Sequence, residues 1–325
     1  MIRMNGLEHE IDLKEERYNE FGSVKDRVAW YVLNNSAKPG EPVESVIDAS
    51  SGNYGYALSR IGERLGISVS VVSSPSISEF NAAGIRGAGA RLIIAEARDG
   101  ESANAARMRV AGEIATTEGS LFLDQYRSLL NPASHQEWTA TELFSEGEFN
   151  ACFVAASSGG TARGFADFLA ANPHPTELVL VDPYGSRSFE DPGAGDLPKL
   201  FIPGYGSGRA SSFSNVSPKP SVRRVSETDV LAAFGLFEQL GLPGIGLSSI
   251  GVVLGALDWL AEATEPQRVV CVCADGDDRY RDEFESRYLP KIEPHELQTA
   301  IARLKPVLSD LQTFTPLSDQ VSVAQ

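Results

Sequence analysis

What most restricts this chain is a repeated step: an apolar, β-branched run of strand length, a glycine-containing turn, then a helical pattern. The runs lie at Ser45–Ala49, Ser68–Ser73, Arg91–Ala95, Leu121–Leu123, Phe149–Ala155, Leu178–Val181, Val222–Val225 and Arg268–Cys273. Between them, Gly55–Leu65 places Ala57, Leu58, Ile61 and Leu65 on one helical face and ends at Gly66. Ser226-Glu227-Thr228-Asp229 reads as a capping box ahead of Val230, Phe234 and Phe237. Such alternation predicts parallel sheets covered by helices. One open sheet seldom absorbs this many units, so the pattern predicts an α/β protein with two sheets. A chain of 325 residues is long enough to bury both.

One segment breaks the rhythm. Gly185 to Pro220 is rich in Gly, Ser and Pro and has no periodicity, and a loop of that length is usually functional or mobile. Pro294–Leu311 reads as a closing helix, followed by a polar end expected to be disordered.

Composition removes several classes of function. Lys and Arg total 28 against 44 Asp and Glu, a net charge of −16, so most of the surface repels phosphates. Neither a nucleic acid nor an anionic membrane is expected as a partner. Cys152, Cys271 and Cys273 are odd in number and lie in or beside apolar runs, which favours buried thiols over disulfides. His9, His135, His174 and His295 have no metal-ligand spacing, and no metal is expected. With no membrane-length apolar run and no signal-like start, the reading is a soluble, cytoplasmic protein.

Three turns carry the chemistry. In Gly22-Ser23-Val24-Lys25-Asp26-Arg27, Lys25 falls in the first turn of a helix. The partial positive charge there lowers an ammonium pKa and favours an amine able to form an imine. Taken alone, the stretch is better read as a surface charge cluster. The second turn, Ser50-Ser51-Gly52-Asn53-Tyr54-Gly55, follows Ser45–Ala49 and offers hydroxyls and backbone N–H groups to a carboxylate. A helix cap needs one such residue; this turn has four polar side chains and two glycines. The third turn, Ser157-Ser158-Gly159-Gly160-Thr161, lets backbone approach a phosphate, yet lacks both the P-loop lysine and the third glycine of a dinucleotide fingerprint.

In this order and spacing, the three turns resemble the pyridoxal-phosphate fold type II family of cysteine synthases and cystathionine β-synthases. The family's Asn-Pro-x-Gly-Ser-x-Lys-Asp-Arg looks like Asn19 to Arg27, with Glu20 in place of the proline. Its Thr-Ser-Gly-Asn-Thr-Gly looks like Ser50 to Gly55, with Tyr54 in place of a threonine. Its Gly-Thr-Gly-Gly-Thr looks like Ser157 to Thr161. Gln125-Tyr126, Asn131-Pro132-Ala133, Asp182 to Ser186 and Asp278-Arg279-Tyr280 match further segments. The contexts of Gln125-Tyr126 and Asp275 to Tyr280 look most like siderophore-pathway 2,3-diaminopropionate synthases. In those relatives an arginine before the Gln-Tyr pair helps to hold substrate, and Arg107 is the candidate here.

The resemblance implies two α/β domains, each a mostly parallel twisted sheet covered by helices, with pyridoxal 5'-phosphate in the cleft between them. Residues 15–128 would form the first and 129–325 the second, the latter joined by 1–14. It implies a cytoplasmic homodimer acting on small amino-acid substrates. Lys25 would hold the cofactor and move the Cα proton, Asn53 would contact the ring oxygen, and Ser157, Ser158, Gly159, Gly160 and Thr161 the phosphate. Asp275 stands where the family offers Ser or Thr to the pyridine nitrogen. Ser50, Ser51, Gly52, Asn53, Tyr54, Arg107, Gln125 and Tyr126 would bind substrate. The implied reaction is β-replacement on O-phospho- or O-acetyl-L-serine through an aminoacrylate, with an amine such as L-glutamate as nucleophile. A cysteine synthase and a catalytically silent regulatory protein of the same fold are the alternatives.

Overall fold

A computed structural model describes residues 1–36, 42–172, 174–190, 193, 197–311 and 314–316. The chain opens with an antiparallel pair, β1 (Ile2–Met4) and β2 (Leu7–Glu15), and reaches α1 (Lys25–Asn35). Then follow β3 (Ser45–Ala49), α2 (Asn53–Leu65), β4 (Ser68–Ser73), α3 (Glu79–Gly87), β5 (Arg91–Ile94), α4 (Ala103–Glu118) and β6 (Leu121–Phe122). These four strands form a parallel sheet in the order β5-β4-β3-β6.

Two short helices, α5 (Leu130–Ser134) and α6 (Thr141–Ser145), flank a π-helical stretch at His135–Ala140. Beyond them come β7 (Ala151–Ala155), α7 (Gly160–Ala171), β8 (Glu177–Asp182), β9 (Ser221–Arg224), α8 (Glu227–Gln239) and α9 (Leu247–Leu260). The chain closes with β10 (Arg268–Cys273), α10 (Pro294–Ser309) and β11 (Thr315–Pro316). The second sheet runs β1-β2-β10-β7-β8-β9, with β11 also beside β2, and only the β1 pairing is antiparallel. Two mostly parallel sheets covered by helices are what the alternation predicted. The eight expected strands are present, their ends moved by at most two residues. The polar end beyond Pro316 lies outside the described residues.

Sheet burial explains why those strands were readable. Val179, Val181, Cys271 and Cys273 pack on one face of the second sheet with Ile250 and Leu254, while Cys152, Val154, Val270 and Val272 pack on the other with Phe165. A strand buried on both faces reads as a continuous apolar run. All three thiols are free and buried.

β2 is different, and its sequence did not announce it. Asp12, Lys14 and Glu15 point into the protein and are buried. Lys14 pairs with Glu16 at 3.6 Å and with Glu142. Arg27 pairs with Glu16 at 2.6 Å and Glu142 at 2.8 Å. Arg268 Nε reaches Asp12 at 2.8 Å. Burying such charges requires partners, and these partners lie far along the chain. The turn between β1 and β2 did carry a local signal, since Asn5 (φ 51) and Gly6 (φ 82) both take left-handed conformations.

Gly185 to Pro220 holds no helix or strand among its described residues. It is nonetheless anchored. Glu227 accepts hydrogen bonds from the N–H groups of Phe201 (3.1 Å) and Ile202 (2.6 Å), and the buried Tyr205 donates to the Val225 carbonyl.

Candidate active site

The three informative turns all leave the carboxyl ends of parallel strands or meet the segment after β10, where ligands bind in open α/β sheets. Lys25 is the first residue of α1, and its loop is tied to the end of β10. Val24 N–H donates to the Ala274 carbonyl at 2.8 Å, and Ser23 forms an antiparallel bridge with Asp275. Gly22 takes φ +80, and a Cβ there would meet Arg279 Nη2 at 2.8 Å. Burial pushes the Lys25 amine down to about 8, against the opposing pull of the Asp275 carboxylate. Desolvation is the lever on this lysine. Its neighbours are no surface cluster: Asp26 and Arg27 are buried, and Asp26 accepts from the Phe21 N–H at 2.6 Å.

The loop after β3 divides its labour. Ser50 Oγ accepts from the N–H groups of Gly55 (2.9 Å) and Gly52 (3.3 Å), so Ser50 does what a helix cap does. Ser51 Oγ instead accepts from Arg107 Nη1, which brings α4 to the loop. Asn53 is fixed on both sides, donating to Asp275 Oδ2 at 2.6 Å and accepting from Arg279 Nη1 at 2.9 Å. Tyr280 adds a second donor to Asp275 Oδ2 at 2.6 Å. Asp275 Oδ1 is buried without a hydrogen-bond partner, close to Gly246 at the start of α9.

Arg279, singled out in the sequence only as part of Asp278-Arg279-Tyr280, was given no role there. It binds the Phe21 carbonyl and Asn53, and lies over the rings of Phe80 (4.9 Å) and Tyr56 (5.2 Å). One side chain thereby joins the lysine loop to the substrate loop. Tyr54, expected beside a substrate carboxylate, is 2% exposed and packs in the core beneath the loop. Burial and the neighbouring Asp48 carboxylate hold its phenol well above the ordinary value. Its ring therefore shapes the floor of the loop, not the entrance. Gln125 is also buried; its amide donates to the Ala49 carbonyl at 2.7 Å, and its N–H donates to Asp48 at 3.1 Å. Tyr126 follows it, half-buried.

The third turn leads from β7 into α7. Gly159 (φ +94) is the N-cap, so no side chain covers the first N–H groups of this 12-residue helix. The loop's carbonyls are held from behind by the irregular segment: Ser188 Oγ donates to the Ser157 carbonyl at 3.3 Å, and Ser211 Oγ to that of Ser158 at 2.5 Å. His135 Nε2 lies 3.2 Å from Thr161 Oγ1 and its Nδ1 3.1 Å from Thr139 Oγ1. Burial, with the charges of Lys25 and Arg27, holds this histidine well below its ordinary pKa, so it is neutral. The charge of Lys25 thus reaches the histidine that contacts Thr161.

These groups fit pyridoxal phosphate. A buried amine can be free base near neutral pH, and an uncapped helix start flanked by hydroxyls is an anion site. Among the described residues no acidic, histidine and cysteine group could hold a metal ion, and no helix is long and apolar enough to cross a membrane. A recess of about 540 Å³ lined by Ser45, Gly62, Ser68, Arg91 and Ser120 lies at the other ends of these strands; Arg91 and Glu118 there pair with each other.

Gly160 gives a direct test of the loop, because a Cβ there would sit 2.1 Å from Asn131 Oδ1. Gly160→Ala is expected to keep the fold and weaken cofactor affinity by about 10-fold or more, the scale of a 1–3 kcal/mol packing conflict. Titrating the apoprotein with pyridoxal phosphate by absorbance measures it. An unchanged Kd would put the phosphate elsewhere.

A family model described as "Pyridoxal-phosphate dependent enzyme" matches residues 1–275. N-(2-amino-2-carboxyethyl)-L-glutamate synthase of Ralstonia nicotianae is 29% identical over 313 residues, 94% of this chain and 91% of the relative. Two solved structures share the fold. The hydrogen sulfide-producing enzyme of Fusobacterium nucleatum superposes with a TM-score of 0.74 at 23% identity, covering 89% of this chain and 87% of that one. O-ureido-L-serine synthase superposes with a TM-score of 0.74 at 22% identity, covering 89% and 91%.

Proposed function

We propose that this chain, which belongs to the pyridoxal-phosphate dependent enzymes, joins the amino group of an α-amino acid to the β-carbon of an activated L-serine. It is a cysteine synthase-like enzyme of fold type II, and β-replacement is its coarse activity. The choice of an amino acid over sulfide as the incoming group is the finer reading. One observation carries it. Arg107 is 8% exposed, is held at the substrate loop by Ser51, and pairs with no carboxylate among the described residues. Sulfide needs no cation to position it, whereas an amino acid brings a carboxylate that arginine binds with charge-assisted hydrogen bonds. The name of the Ralstonia relative describes a product of this type.

The residues divide the work as follows. The bound cofactor supplies the delocalising ring that makes a Cα proton removable. Lys25, free base near pH 8, accepts that proton and returns it after the new bond has formed. The first-turn N–H groups of α7 with Ser157, Ser158 and Thr161 would hold the phosphate, and Asn53 the ring oxygen. Asp275 keeps Asn53 in place, together with Arg279. Ser51 and the loop N–H groups would receive the serine carboxylate, and Gln125 closes that wall.

The deciding experiment is a nucleophile screen. Holoenzyme is given O-phosphoserine or O-acetylserine with glutamate, aspartate, ammonia or sulfide, and products are identified by mass. An adduct carrying the amino acid is expected. Turnover with sulfide alone would make the chain a cysteine synthase.

A further inference from the structure

We propose that Arg209 is the second arm of a carboxylate clamp, set opposite Arg107, which selects an amino dicarboxylate as the incoming nucleophile. The inference rests on the amino-acid reading above and sharpens it. Arg209 sits in the irregular stretch between β8 and β9, on the second sheet's side, yet its guanidinium lies 5.2 Å from the centre of the Tyr126 ring on the first sheet's side. It reaches across the cleft onto the residue that follows Gln125.

Its backbone is placed firmly enough for recognition. Gly206 N–H donates to the Ala156 carbonyl at 2.7 Å, immediately before the phosphate loop. Ser207 N–H donates to Ser186 Oγ at 3.0 Å, Ser207 Oγ donates to the Arg209 carbonyl at 2.9 Å, and Arg187 N–H to the Ser207 carbonyl at 2.7 Å. Arg209 is itself exposed, as a residue that meets an arriving substrate must be.

Tyr126 connects the two arms. Burial raises its phenol; the charges of Arg107 and Arg209 act to lower it and those of Asp48 and Asp124 to raise it, so both cations lie within electrostatic reach of one ring. Neither forms an ion pair with a carboxylate among the described residues. Arg107 binds only the neutral Ser51 and Asn104 at its terminal nitrogens, and its Nε is buried with no partner. The charge of Arg209 does reach the Asp124 carboxyl, which burial raises first and which has Arg127 at 3.7 Å. Two unpaired arginines at one cleft, in a chain of net charge −16, mark a place for anionic groups. An amino acid with one carboxylate occupies one guanidinium. A second, facing cation is useful when the nucleophile carries a second carboxylate.

The test compares native holoenzyme with Arg209→Ala and Arg209→Lys. KM is measured for glutamate and for alanine as nucleophiles, and consumption of O-phosphoserine and O-acetylserine is followed with sulfide as acceptor. Glutamate binding to the cofactor-free protein is measured by calorimetry. Arg209→Ala is expected to raise the glutamate KM and Kd by about 10- to 100-fold, the worth of one charged hydrogen-bonded contact. The alanine KM and both sulfide reactions should stay within about twofold of native, and Arg209→Lys should recover part of the glutamate affinity. Equal losses for glutamate and alanine, or no loss for either, overturn the clamp and leave the amino-acid reading standing. A loss confined to O-phosphoserine overturns it too, assigning Arg209 to the leaving group. Native enzyme that turns over with sulfide and with no amino acid removes the parent reading.

Discussion

Lys25→Ala is expected to fold normally and to lose turnover by about 10²–10⁴-fold, the range set by removing a positioned acid–base group. The substitution deletes the one amine that burial has brought down to about 8 beside the phosphate loop. At pH 7 about one tenth of such an amine is free base, against far less than one in a thousand for an ordinary lysine. Two readouts separate this from a structural fault. Borohydride treatment of the native holoenzyme should leave a pyridoxyl group on Lys25, located by peptide mapping, and the variant should show none there. Reconstitution of the native apoprotein should speed up between pH 7 and pH 9 as the amine loses its proton. The sign for stability follows from the same shift. The folded value lies below the ordinary 10.5, so the cofactor-free fold is penalised below pH 8 and relieved as the pH rises from about 8 to 10.5. A modified lysine elsewhere would displace the catalytic assignment.

The largest effect on stability is expected at Arg27. Its guanidinium bridges Glu16 and Glu142, while Lys14 bridges the same two carboxylates, so two cations and two anions balance inside the protein. Glu16 also accepts from Asn19 at 2.6 Å. Arg27→Met leaves buried carboxylates short of a partner and is expected to cost about 3–5 kcal/mol. Urea unfolding of the apoprotein reads it as a lower midpoint with an unchanged slope. A companion change, Glu16→Gln in the Arg27→Met background, should restore part of the loss by removing the stranded charge. The exposed Arg64–Glu20 pair, at 2.6 Å, offers a control, because solvent screens it and its loss should be barely measurable. A cost at Arg27 no greater than at Arg64 would mean that packing, not charge balance, holds this corner.

The parts that were legible in the sequence share a physical cause. Strands such as Arg268–Cys273 are apolar on both faces, and nothing but a buried sheet position explains such a run. The turns at Lys25, Asn53 and Ser157 to Thr161 stood out because each carries more polar and glycine residues than its fold role needs. β2 was not, since charged Asp12, Lys14 and Glu15 are buried in it among Ile11 and Leu13, and their neutralising partners cannot be guessed from local pattern. Its turn, Asn5-Gly6, was a readable signal that the charged strand obscured. Tyr54 was assigned from its place in the loop alone, yet only packing tells which way a side chain leaves a helix start. The contacts of Arg279 and Arg209 were unreadable for another reason, although Asp278-Arg279-Tyr280 stood out as a motif. Arg279 reaches Phe21 and Asn53 from the segment after β10, and Arg209 reaches the Tyr126 ring from the segment between β8 and β9; no periodicity records where a loop carries its side chain.

The second sheet's ordering has a consequence for how the protein is made. Glu10 of β2 pairs with Arg268 of β10, so a strand made first waits for one made near the end. A chain leaving the ribosome can pair β2 with β1 at once, but Glu10 to Glu15 wait for β10 while almost everything else is synthesised, and closing so long a loop makes that assembly slow. Lys25 follows ten residues after β2, and its loop needs Ala274 and Asp275 to be held. The nascent chain cannot shape its lysine loop by halves. The loop that carries Lys25 is completed in one late event, when β10 and the segment after it arrive.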